Sequence, residues 1–325
     1  MKKITVAIIV ILSLLLLASA LLLTNCKAKT PDVHINDTQN NTQAQNNTPK
    51  VFLSGYPIIL VHGWLGKAID FSPYGLKLQE DGIAEYKGDL NRYDNLSVCH
   101  EQWPKSVVVS AEYYYDFNRN QGIQEYASEL NPIIQLVKNC TGSEQVILIG
   151  HSMGGLVSRK YMVDYGNTSV NKLITLATPH YGFNEFTRPE IIFMMLNFFT
   201  GRQKEVEQMR PKSDFLKELD KDDISYRGQI VSIGTFNTGN KTNLFGLHVA
   251  PSQISDFEKQ HFENTDIIVS LDSTKLAGCK YYQVEGCSHT EILDFKSVYP
   301  KGPINDARKC PDAYEIVKNE ILGAS

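Results

Sequence analysis

Six short runs of mostly apolar residues, at 58–62, 107–110, 146–150, 173–176, 229–235 and 281–285, recur from Val51 onward. Each is too evenly apolar to present one wet face, the pattern of strands in a parallel sheet covered on both sides. Helix-like stretches lie between them at about 71–82, 121–139, 153–165 and 312–323. Parallel neighbours need crossover connections, so the alternation predicts one α/β domain with right-handed crossovers. The chain can fill such a core. Of its 325 residues, 42% are hydrophobic and 21% charged, which excludes global disorder. A net charge of −4, with no basic run after Lys3, gives no reason to expect nucleic acid.

The N-terminus has a different character. Lys2 and Lys3 precede an apolar run at 4–23 interrupted only by Thr5, Ser13 and Ser19, which marks an export signal or membrane anchor within residues 1–26. Three fates compete. Ala18-Ser19-Ala20 resembles a cleavage site, which would leave a soluble protein. The run is also long enough to stay in a bilayer as an anchor. Leu23-Thr24-Asn25-Cys26 resembles a bacterial lipoprotein box, in which Cys26 becomes the lipid-modified N-terminus. A cysteine placed directly after the run favours lipidation, and an incidental cysteine in a discarded signal is the alternative. All three fates put the rest of the chain outside the cytoplasm. Residues 27–50 are rich in Asn, Thr and Gln and carry too little apolar surface to offset ordering entropy, so they are expected to be a disordered tether. The folded domain is expected at 51–325.

The most specific motif is Gly150-His151-Ser152-Met153-Gly154-Gly155, which follows one apolar run and opens a helical pattern reaching Tyr165. This is a Gly-x-Ser-x-Gly nucleophile elbow in its strand-to-helix context. The turn is tight enough that side chains at 150 or 154 would strike neighbouring backbone. Ser152 is thereby raised to the top of the sheet, at a helix N-terminus whose amides favour negative charge. The bare pattern also arises by chance, but the flanking strand and helix and the extra Gly155 argue against that.

Together with Ile58-Ile59-Leu60-Val61-His62-Gly63-Trp64 and Leu176-Ala177-Thr178-Pro179-His180, in that order, the elbow resembles the α/β-hydrolase lipases and esterases. The resemblance covers residues 57–295 in outline. Met209-Arg210-Pro211-Lys212-Ser213-Asp214-Phe215-Leu216 also resembles a cap segment of secreted bacterial lipases. The resemblance implies a mainly parallel twisted sheet with helices on both faces, compact and without the initial antiparallel strands. It also implies a helical cap insertion at about 181–226. That insertion contains 191–199, where only Asn197 is polar, and a helix start capped by Ser213.

Such enzymes split esters through an acyl-enzyme without a cofactor. The resemblance implies that the backbone N–H groups of Met153 and Trp64 form the oxyanion hole, with His62 and Gly63 shaping the turn. Triad order in this fold is serine, acid, histidine. Of eight histidines, only His289 follows the last predicted strand, so it is expected to be the base. The acid should precede that strand, among Asp256, Glu263, Asp266 and Asp272. Asn264-Thr265-Asp266-Ile267-Ile268-Val269-Ser270 resembles the family segment, which prefers Asp266 and leaves Asp272 as runner-up.

Tyr113-Tyr114-Tyr115-Asp116-Phe117 follows a predicted strand and is expected at its upper end, lining an acyl or leaving-group pocket or simply packing. Cys99 and Cys140 should meet at the lower edge of the sheet and pair. Cys287 and Cys310 should lie near the upper edge beside His289 and form a second bridge, leaving Cys279 odd. Export favours disulfides. No Cys or His zinc spacing and no calcium-type carboxylate cluster is visible, so no metal is expected. The expected partner is an acyl-ester lipid, long-chain glycerol esters before phospholipids or thioesters. The competing class is a surface lipid-binding or adhesion protein that keeps the fold without the chemistry. Oligomeric state is open.

Overall fold

The computed structural model describes residues 51–64, 66–114, 121–183, 203–236, 242–244, 247–249, 266, 269–287, 289, 291–293 and 310–323. The export segment at 1–26 with Cys26, the tether at 27–50 and the apolar stretch at 191–199 lie outside the described residues. In chain order the elements are β1 (Ile58–Val61), α1 (Ser72–Glu80), β2 (Glu85–Asn91), β3 (Val107–Glu112), α2 (Ile123–Thr141), β4 (Val146–His151), α3 (Met153–Tyr165) and β5 (Val170–Leu176). They continue with α4 (Gln203–Gln208), α5 (Asp214–Asp222), β6 (Ile230–Phe236), β7 (Thr242–Leu244), β8 (Leu247–Val249), α6 (Leu271–Thr274), β9 (Lys280–Glu285) and α7 (Pro311–Leu322).

Seven strands form one sheet in the order β2-β3-β1-β4-β5-β6-β9, and every neighbouring pair is parallel. β7 and β8 form a separate antiparallel pair. The six predicted runs are six of the seven strands. β2 is the strand without a predicted run, because Glu85-Tyr86-Lys87-Gly88-Asp89-Leu90-Asn91 is mostly polar. It lies at the edge of the sheet, where only Leu90 is buried and polar side chains stay solvated. The opposite edge, β9, buries only Val284, so even cover on both faces holds for the inner strands alone.

Side chains alternate between two faces along each inner strand. Ile59, Val61, Val109, Leu148 and Leu173 join one core, with Leu130 and Ile134 of α2, Leu156 of α3 and Phe215 of α5. Ile58, Leu60, Val108, Ile149 and Ile174 join the other, with Tyr74 and Leu78 of α1 and Val317 and Ile321 of α7. The described part of the insertion after β5 therefore fills the first core. Its helix α5 starts as expected, with Ser213 Oγ accepting the Leu216 N–H at 3.2 Å. Cys99 is bonded to Cys140 and Cys287 to Cys310, and Cys279 is a free thiol.

α7 is tied to the sheet by Glu320. Its carboxylate accepts from Lys172 at 2.9 Å, Lys280 at 2.6 Å and Tyr282 Oη at 2.8 Å. Burial alone would raise this carboxyl group, but the hydrogen bonds from Lys280, Lys172 and Tyr282 outweigh it and pull it from 4.5 to about 2. A depressed carboxylate stabilises the fold above its unfolded value and loses that contribution as pH falls through the folded one. Glu320→Gln should therefore cost about 1–3 kcal/mol in urea unfolding at pH 7. The gap from wild type should close as pH falls from 4.5 toward 2. A gap independent of pH would remove the carboxylate from this role.

Candidate active site

Ser152 is the single residue between β4 and α3. Reversing the chain there forces it to φ 52° and ψ −126°, a strained conformation costing on the order of 1–3 kcal/mol. Glycines make the turn possible. A Cβ on Gly150 would come within 2.7 Å of Gly155 Cα, and one on Gly154 would collide with the carbonyl oxygens of Val61 and His62. The Ser152 N–H donates to the Leu176 carbonyl at 2.9 Å, so the elbow is pinned to β5.

The structure brings Asp266, His289 and Ser152 into one hydrogen-bonded line. Asp266 Oδ2 lies 2.7 Å from His289 Nδ1, and His289 Nε2 lies 2.9 Å from Ser152 Oγ. A carboxylate only accepts, so the imidazole proton sits on Nδ1. Nε2 then faces the serine hydroxyl with its lone pair. Asp266 is itself fixed, because its Oδ1 accepts the Val269 N–H at 2.7 Å and its backbone carbonyl accepts the His289 N–H at 3.3 Å. All three side chains are buried. The runner-up, Asp272, is exposed in the first turn of α6, and Asp256 and Glu263 lie outside the described residues.

His151, inside the elbow, braces His289. Its Nε2–H donates to the His289 carbonyl at 2.8 Å. Burial, with the neighbouring imidazoles His289 and His62, pushes His151 down to about 3 despite that bond, so it stays neutral beside His289. His180 serves another purpose. Burial and the charges of Arg159 and Arg227 hold it well below the usual histidine range, and its Nδ1 accepts from Arg159 Nη1 at 3.1 Å. Arg159 is in turn paired with buried Asp223 at 2.6 Å.

The loop His62-Gly63-Trp64 runs directly beside the serine, since a Cβ on Gly63 would sit 3.0 Å from Ser152 Cβ. Its peptides are held by their carbonyls. Tyr113 Oη donates to the His62 carbonyl at 2.6 Å, while Tyr114 Oη at 3.1 Å and His62 Nδ1 at 3.0 Å both donate to that of Gly63. In a trans peptide the N–H points opposite the C=O, so fixing the Gly63 carbonyl also fixes the Trp64 N–H. Of the two roles open to the tyrosine run, pocket lining and packing, two residues take the second. Tyr113 and Tyr114 are fully buried and brace this loop instead of lining a cavity. Tyr115, Asp116 and Phe117 lie outside the described residues. No described cluster of His, Cys, Asp or Glu could hold a metal ion.

A family model described as a PGAP1-like alpha/beta domain matches residues 52–201. The mature Bacillus licheniformis lipase BlEst2 superposes with a TM-score of 0.52 at 17% identity, covering 74% of this chain and 87% of its own. With the parallel sheet and elbow, that match decides the fold. The chain has the α/β-hydrolase fold. It is 31% identical over 148 residues to the GPI inositol-deacylase B of Yarrowia lipolytica, covering 39% of this chain and 14% of the relative. It is 30% identical over 134 residues to a triacylglycerol lipase of Pseudarthrobacter phenanthrenivorans, covering 39% of this chain and 34% of the relative. The chain therefore spans about a third or less of the length of these relatives.

Proposed function

We propose that the protein hydrolyses acyl-lipid esters through an acyl-enzyme on Ser152. The line of hydrogen bonds from Asp266 through His289 to Ser152 carries this reading. As Ser152 Oγ attacks the ester carbonyl carbon, its proton passes to His289 Nε2, and Asp266 stabilises the imidazolium. The oxyanion of the tetrahedral intermediate takes hydrogen bonds from the Met153 and Trp64 backbone N–H groups. The carbon–oxygen bond to the alcohol then breaks, and the leaving oxygen takes the proton from His289. Water repeats the sequence with His289 as base, releasing the carboxylic acid and restoring Ser152.

The names of the two curated relatives support the substrate class, since both describe removing an acyl group from a polyhydric alcohol. Attachment outside the cytoplasm, through Cys26 or the apolar run, would bring the domain to such lipids. A fluorophosphonate should label the wild-type protein and not Ser152→Ala. Octanoyl nitrophenyl esters should be turned over faster than acetyl ones. No labelling of folded wild type would leave the non-catalytic lipid-binding reading, and an acetyl preference would remove the lipid substrate.

A further inference from the structure

The Trp64 indole N–H donates to Glu205 Oε2 at 2.7 Å, and Tyr126 Oη donates to Oε1 of the same carboxylate. Glu205 is fully buried. A buried carboxylate is costly unless donors satisfy it, and bonds to an ionised acceptor are about twice as strong as neutral ones. The helix that carries it, α4, is also clasped to the start of α2. Gln208 accepts the Ile123 N–H at 2.7 Å and donates to Gln124, and Lys204 pairs with Glu125. Tyr126 packs against Tyr114, with ring centroids 4.8 Å apart, and against Tyr113 at 5.8 Å. These are the tyrosines that hold the His62 and Gly63 carbonyls. Trp64 is thus gripped twice, through the peptide before it and through its own side chain.

We propose that Glu205 is a positioning residue for the oxyanion hole, anchoring the Trp64 indole so that the Trp64 N–H stands where the oxyanion develops. The inference rests on the ester-hydrolase reading. An oxyanion exists in the transition state and not in the bound ester, so a displaced donor lowers kcat more than it changes KM. A purely structural role for Glu205 would lower stability and leave that split unmoved.

The test compares Glu205→Ala, Glu205→Gln and Trp64→Phe in the full chain, using an octanoyl nitrophenyl ester and an alkyl boronic acid that mimics the tetrahedral state. Glu205→Ala should lose about ten- to a hundredfold in kcat with KM little changed, and boronic acid affinity should fall in parallel. Glu205→Gln should keep most of the activity, because its amide oxygen still accepts the indole N–H. Trp64→Phe keeps an aromatic ring and removes the donor, so it should match Glu205→Ala, and the double variant should be no worse than either single one. If Glu205→Ala does not fold, Trp64→Phe decides. The chain has two tryptophans, so on a Trp103→Phe background the emission of Trp64 alone should shift when Glu205 is replaced. Unchanged kcat and boronic acid affinity in folded Trp64→Phe would overturn the inference, as would an additive double variant. Ser152 labelling in the wild type would still stand in either case. A wild type that never labels ends both readings.

Discussion

Replacing Asp266 with asparagine is expected to lower turnover about 10⁴-fold while leaving the protein folded. An amide at that position can turn its NH2 toward His289 Nδ1, which must then accept. The ring proton moves to Nε2, where it faces Ser152 Oγ and blocks proton uptake. The fold should survive, because asparagine keeps an oxygen for the Val269 N–H that Asp266 Oδ1 now accepts at 2.7 Å. The Asp266 backbone carbonyl that receives the His289 N–H is untouched. His289→Ala should abolish turnover by removing the base itself. Asp272→Asn should be nearly silent, since that carboxylate is exposed on α6. Steady-state kinetics on the three variants, each checked by circular dichroism, give the order of effects. A crippled Asp272→Asn beside a nearly normal Asp266→Asn would move the acid to 272 and leave the serine hydrolase reading in place.

What was legible in the sequence follows from where each side chain's chemistry is decided. The inner strands are apolar on both faces because helices cover both, so 58–62 and 146–150 are readable from composition alone. The elbow is readable because no other residue than glycine fits beside the carbonyls of Val61 and His62. His289 is readable from chain order, Asp266 only with the help of the resemblance of 264–270 to the family segment, and their meeting is a consequence of the fold's topology. β2 was not legible, since an edge strand needs no apolar run. Glu205 and the Arg159–Asp223 pair carried no signal either. A charged residue in sequence reads as solvated, and only the three-dimensional contacts show that Trp64 and Tyr126 enclose Glu205. The tyrosine run at 113–115 was legible as aromatic but not as a brace. The hydroxyls of Tyr113 and Tyr114 find their acceptors fifty-one residues back in the chain, at His62 and Gly63.

The two disulfides should separate cleanly by effect. Cys99 and Cys140 lie 41 residues apart, joining the segment before β3 to the end of α2 at the sheet edge away from Ser152. Cys287 and Cys310 lie 23 residues apart, joining the chain just after β9 to the N-terminal end of α7. In the chain-entropy view, opening either bridge should cost about 3–4 kcal/mol of stability. Their consequences for turnover should differ. Cys287 stands two residues before His289, whose ring must keep both a 2.7 Å bond to Asp266 and a 2.9 Å bond to Ser152. Among the described contacts, the His289 backbone is held by the Asp266 carbonyl and by His151, so the bridge is its covalent anchor. A Cys287→Ser, Cys310→Ser double variant should therefore lose about ten- to a hundredfold in kcat, the scale of a displacement near 1 Å in a reacting group. A Cys99→Ser, Cys140→Ser double variant should melt lower and yet, well below its melting temperature, turn over close to wild type. Measuring kcat and unfolding for both decides the matter. Equal kcat losses in the two variants would mean that both bridges act only through global stability and that the base holds its place without the covalent tie.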